Sequence, residues 1–130
     1  MNIRRIKETC LYVTDLEQTK SFYNTILELP VISFVQNRHV FFRAGESVLL
    51  CFIAEKTAQE TILPPHGAYG SIHFAFEMSG ADYDLALEKI AAHSIPILHH
   101  HVWPNGLRSF YFHDPDAHVV EIIEEGLWDK

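Results

Sequence analysis

Apolar and polar positions follow two periods in turn along this chain, and the order of those periods repeats. Residues 6–13 (IKETCLYV) alternate as a strand. Thr9, Leu11 and Val13 point to one face, where a helix can cover them, and Glu8, Cys10 and Tyr12 point to the other. Residues 16–27 then place Leu16, Phe22, Tyr23, Ile26 and Leu27 on a helical stripe. Asp15 is the candidate cap of that helix, Glu17 lies in its first turn, and Pro30 is its stop. Residues 31–36, 39–43 and 47–54 read as three strands, with turns at Asn37-Arg38 and Ala44-Gly45-Glu46. Residues 55–70, with two prolines and two glycines, read as a connector.

The same order then returns. Residues 71–78 (SIHFAFEM) form a strand pattern in which Phe74, Phe76 and Met78 point away from His73, Ala75 and Glu77. Residues 81–93 form a helix with Tyr83, Leu87, Ile90 and Ala91 on one face. Residues 95–103, 107–113 and 118–124 supply three more strands, with Pro104-Asn105-Gly106 and Asp114-Pro115-Asp116 at the turns. The pattern predicts a single α+β domain over 1–130, made of two βαβββ repeats at 6–54 and 71–125. Overlaying GESVLLCF (45–52) on DAHVVEII (116–123) sets Leu50 opposite Glu121, with Cys51 as the alternative one residue away.

Composition narrows the function without naming it. The chain is 48% hydrophobic and 21% charged, an ordinary balance for a globular domain. Its formal charge of −7 argues against a nucleic-acid partner, which favours a basic face. No apolar run approaches the ~20 residues of a membrane span, and the first residues show no signal-peptide pattern. Cys10 and Cys51 form no CxxC pair and read as two buried thiols of a reducing cytoplasm.

The motif residues resemble the vicinal oxygen chelate superfamily, which includes glyoxalase, fosfomycin-resistance, extradiol-dioxygenase and bleomycin-resistance proteins. In the first half the pattern stands as Glu8, Leu11, Val13, Asp15-Leu16-Glu17 and Phe22-Tyr23, with Glu8 where the family has His. In the second half it stands as His73-Phe74-Ala75-Phe76. Near the C-terminus, residues 109–121 (SFYFHDPDAHVVE) follow a Ser-Phe-Tyr-Phe-x-Asp-Pro-Asp-Gly-x-x-x-Glu signature, with Ala117 in place of the glycine. The resemblance implies a single-module, glyoxalase-like fold whose curved mixed sheets enclose a cavity. It also implies a homodimer, with the site within one chain or shared by two.

The resemblance further implies metal ligands at Glu8, His73 and Glu121. The fourth ligand position falls on Leu50, which cannot bind metal. Two carboxylates and one imidazole suit one divalent ion such as Mn, Fe, Co, Ni or Zn. Glu121 and Glu8 are the candidate catalytic carboxylates. Glu121 stands between Val120 and Ile122, so a buried carboxylate there needs a partner. Tyr12, Trp103, Arg108, Ser109, Tyr111 and His113 are the candidate substrate-binding residues. Alternation puts either Ser109, Tyr111 and His113, or Arg108, Phe110 and Phe112, on the inner face, and periodicity alone leaves both open. Of His99-His100-His101, at most two converge, and a solvated edge strand is the favoured reading.

The expected function is that of a metal-dependent lyase, isomerase or thiol transferase acting on a small oxygen-bearing substrate. The alternative is a non-catalytic module that sequesters a small molecule or cationic drug. Tyr12, Phe52, Trp103, Tyr111 and the negative charge fit that alternative.

Overall fold

The computed structural model describes residues 1–129. The chain forms two compact units, one from Met1 to Gly70 and one from Ser71 onward. The first contains β1 (Glu8–Tyr12), α1 (Leu16–Lys20) continuing into a π-helical segment (Ser21–Ile26), β2 (Val31–Val35), β3 (His39–Ala44), β4 (Ser47–Phe52) and α2 (Ala54–Thr57). The second contains β5 (His73–Met78), α3 (Gly80–Ala92), β6 (His99–Val102), β7 (Arg108–His113) and β8 (Val119–Glu124). Each unit holds one four-stranded mixed sheet, in the orders β1-β4-β3-β2 and β5-β8-β7-β6. In each, the first strand runs parallel to the last and the other pairings are antiparallel. The expected α+β fold of two βαβββ repeats is what these sheets form.

The register makes the two halves equivalent residue by residue. Glu8 pairs with Val48 as His73 pairs with Val119, and Cys10 pairs with Leu50 as Ala75 pairs with Glu121. Leu50, not Cys51, therefore holds the position of Glu121. Each sheet covers one face with its own helix. Leu11, Val40, Phe42, Leu49 and Cys51 are buried with Phe22 and Tyr23, and Phe110, Phe112, Val120 and Ile122 are buried with Tyr83 and Ile90. Burying a large apolar side chain in such a face contributes about 1.5–3 kcal/mol.

Several local expectations are corrected. The first helix does not continue as α-helix to residue 27: the Leu27 N–H donates to the Phe22 carbonyl, five residues back, at 3.1 Å. The wider π turn lets the neighbouring Phe22 and Tyr23 rings both pack inward, edge to face at 5.0 Å. The helix stops at Glu28 in the left-handed region (φ 63°), ahead of Pro30. The strand expected over 95–103 begins at His99, because Pro96 has no N–H to donate to a ladder and Ser94 is itself left-handed. The strand expected over 47–54 ends at Phe52, and a short helix follows. Cys10 is exposed rather than buried, since it lies on the helix-free face between Glu8 and Tyr12; Cys51 is buried.

Candidate functional site

Strand parity decides which side chains share the helix-free face of the second sheet. Ala75, Glu121, Tyr111 and His99 are Cα partners across its four strands. His73, Val119 and His113 form the row on one side of these, and Glu77, Ile123, Ser109 and His101 the row on the other. The face therefore brings together His73, Glu121, Tyr111, Ser109 and His113 from the sequence expectation, with His99 and His101 beside them. The expectation gave His99 and His101 a solvated edge. Their i, i+2 spacing is the signal that places both on this face.

At the centre, His73 Nε2 lies 3.0 Å from Glu121 Oε1, with side-chain exposures of 52% and 8%. His73 Nδ1–H donates to the Val119 carbonyl at 3.3 Å, which turns Nε2 toward the carboxylate. Glu121 is thus the buried member of the pair and His73 the accessible one. Polar groups line the way to Glu121 from the sheet edge. Trp103 Nε1–H donates to Ser109 Oγ at 2.9 Å. Tyr111, two residues along the same strand, is the Cα partner of Glu121. Burial raises the Tyr111 hydroxyl above the usual phenol range, and the Glu121 carboxylate adds to the rise. Tyr111 therefore keeps its proton beside Glu121.

Arg108 departs from the expected place beside these residues. It lies on the helix-covered face, where its guanidinium bonds Glu124 at 2.7 Å and Asp84 at 2.9 Å and stacks over Tyr83 at 4.4 Å. The Glu124 hydrogen bond, followed by that to Asp84, holds Arg108 further above its ordinary range. The same contact lowers Glu124. With both acids engaged, Arg108 ties α3 to the sheet. The residues that shape the turn before β8 also act locally: the Asp114 carboxylate accepts from the Asp116 and His118 N–H groups, each at 2.9 Å.

The helix-free face of the first sheet is built differently. Glu8, Cys10 and Tyr12 lie on it, opposite Val48, Leu50 and Phe52. Glu8 is exposed, and no cation is bonded to it among the described residues. The neighbouring basic residues turn elsewhere: Arg5 pairs with the Glu46 carboxylate, and Lys7 bonds the Glu46 carbonyl. The Tyr12 hydroxyl and His66 Nδ1 share a hydrogen bond at 2.7 Å. Burial, then the neighbouring Cys10, raises the Tyr12 phenol.

Around them stands an aromatic group that sequence reasoning did not assemble. His39 stacks on Phe41 at 3.8 Å, and Phe52 meets the His66 ring edge to face at 4.6 Å. His39 receives an Arg38 hydrogen bond at Nδ1 and gives one to Ser33 Oγ at 2.9 Å. Burial, then the Arg38 charge, lowers its affinity for a second proton. The alternation of His39 and Phe41 was a visible signal, but His66 sits in an irregular segment that carries no period.

Among the described residues, no three His, Cys, Asp or Glu side chains are gathered into a metal-binding cluster. His73 and Glu121 are together, while Glu8 belongs to the other unit. No helix of the described residues is long and apolar enough to cross a membrane.

A family model described as a glyoxalase-like domain matches residues 6–126. The chain is 34% identical to a lactoylglutathione lyase from Agrobacterium tumefaciens, over 100% of both chains and with a TM-score of 0.94. A virulence protein from Salmonella typhimurium is 26% identical, with 95% of this chain and 98% of that one covered and a TM-score of 0.74. A fosfomycin resistance protein from Listeria monocytogenes shares the fold at 24% identity, over 97% of each chain, with a TM-score of 0.71. The repeat, the residue-by-residue register of its halves and the match over nearly the whole length place this chain in the glyoxalase-like domain family of the vicinal oxygen chelate superfamily.

Proposed function

We propose that this protein is a metal-dependent enzyme of the lyase, isomerase or thiol-transfer type, acting on a small substrate through two of its oxygens. The observation that carries this reading is the His73–Glu121 pair. With Nδ1 donating to Val119, Nε2 faces a carboxylate oxygen at 3.0 Å. Two electron-rich atoms so placed require a cation. A proton serves, and a divalent ion held by both atoms serves in its place. At 3.0 Å from each other, His73 Nε2 and Glu121 Oε1 would be the two atoms that hold such an ion.

Glu8 is the third ligand in this reading. It holds the register position of His73 in the other half, it is exposed, and its basic neighbours are bonded to Glu46. Its carboxylate comes from the same chain or from a second copy in a homodimer. The residues present suit Mn, Fe, Co, Ni or Zn. When bound, the ion supplies a Lewis acid that polarises substrate oxygens. Glu121 and Glu8 are the candidate bases for a substrate proton, with Tyr111 next to Glu121 across the sheet. Tyr12, Trp103, Ser109 and His113 line the faces that meet the substrate.

The resemblance to a lactoylglutathione lyase favours isomerase or lyase chemistry on a thioester or its hemithioacetal. Leu50 departs from a four-ligand set and favours a site with an extra open position. The test is turnover of lactoylglutathione and of the corresponding hemithioacetal by metal-stripped protein, with each divalent ion restored in turn. Turnover that appears only with an ion supports the reading. Turnover unaffected by stripping, or ion binding with no dependence on His73, contradicts it.

A further inference from the structure

We infer that His99 and His101 form a binding site for an oxyanion, the carboxylate or phosphate group of a small ligand, at the edge of the second sheet. Both lie on β6, two residues apart, and their rings stand 5.8 Å from each other at 32°. That spacing lets two imidazole N–H groups close on one anionic group from either side. His99 also stands 5.8 Å from the Tyr111 ring, and His101 meets Trp103 edge to face at 4.5 Å, so packing limits the motion of both rings. Among the described residues, no protein group hydrogen-bonds either ring, which leaves their N–H groups for a ligand.

The charges of the face agree with this assignment. Neither β6 nor β7 contributes an acid to it. Its acids are Glu121, already engaged by His73, and Glu77 on the far strand β5. Its other titratable groups are His73, His113 and Tyr111. The cations of this unit among the described residues, Lys89 and Arg108, belong to α3 and to the helix-covered face. Imidazoles are therefore the only donors here that can carry positive charge. His99 is two strands from Glu121, or about 10 Å at the usual strand spacing. A ligand can thus occupy this site and the His73–Glu121 pair with its two ends. The inference rests on the second sheet alone and does not require a metal.

The test is a titration of metal-free, full-length protein with inorganic phosphate and, separately, with acetate at about pH 6, where free imidazole is largely protonated. It is read from the histidine ring signals in a proton–carbon NMR spectrum. Saturable shifts of His99 and His101 are expected with at least one anion, and the anion that binds tighter assigns the group. His93, whose Nδ1 bonds the Lys89 carbonyl on α3, should not respond. His99→Gln and His101→Gln should each weaken binding about tenfold, the scale of one charge-assisted hydrogen bond. His73→Ala should leave the anion response intact, so failure of the metal reading and failure of this one are separable. Shifts that rise linearly for all exposed histidines, or affinity in both glutamine variants unchanged from that of the unaltered chain, would overturn the site.

Discussion

At the scale of single residues, three positions depart from what their surroundings favour. Ala117 adopts φ +64° in the turn before β8, where the superfamily signature has glycine. The left-handed region costs a non-glycine residue about 1–2 kcal/mol. The turn persists because Asp114 accepts from two backbone N–H groups. Ala117→Gly should stabilise the fold by about 1 kcal/mol, measured by denaturant unfolding, and a loss of stability would refute the strain. His39 is buried, and that burial, then the Arg38 charge, disfavours a second proton on it. Its folded proton affinity lies below that of the unfolded chain. The unfolded state therefore takes up the proton first as pH falls. The stability His39 contributes is complete above the unfolded value of about 6.5 and is lost as pH drops toward the folded value. His39→Gln should flatten that loss in unfolding curves taken at successive pH values. Tyr111 is the Cα partner of Glu121, and Tyr111→Phe removes the hydroxyl beside that carboxylate. Losing such an outer partner should weaken metal binding about 10–100-fold, with folding retained. Unchanged affinity would show that Glu121 needs no such support.

At the scale of elements, the strands and the two main helices were legible because both periods are clean and turn residues stand between them. Asn37, Gly45 and Gly106 all adopt positive φ at the turns read from sequence. Ser79 caps α3 by accepting from the Asp82 N–H at 3.2 Å, and Ser79→Ala should cost about 1 kcal/mol in a thermal melt. The π segment was not legible, since it depends on how Phe22 and Tyr23 pack rather than on any local signal. The orientation of β7 was not legible either. Alternation states which residues share a face but not which face a helix covers, and only the Arg108–Glu124–Asp84 bonds resolve it. For the candidate site, motif positions named His73 and Glu121, and the structure brings them into contact. The ring cluster around His39 and His66 escaped because one member lies outside any periodic element.

At the scale of the whole molecule, the two halves have kept one fold and divided its chemistry. Equivalent register positions carry His73 and Glu121 in one sheet but Glu8 and Leu50 in the other. The second half thus has the His73–Glu121 pair, and the first has Glu8 within an aromatic face. The proposed homodimer belongs to this scale, and sedimentation at micromolar concentration should show two chains; a monomer would confine Glu8 to its own chain's site. The most direct measurement is a calorimetric titration of metal-stripped protein with Mn, Co, Ni and Zn, repeated on Glu8→Gln, His73→Ala and Glu121→Gln. One ion per chain is predicted, with tight binding abolished by either change in the His73–Glu121 pair and weakened by the change at Glu8. Binding that survives His73→Ala and Glu121→Gln, or no saturable binding by the unaltered chain, would contradict the assignment.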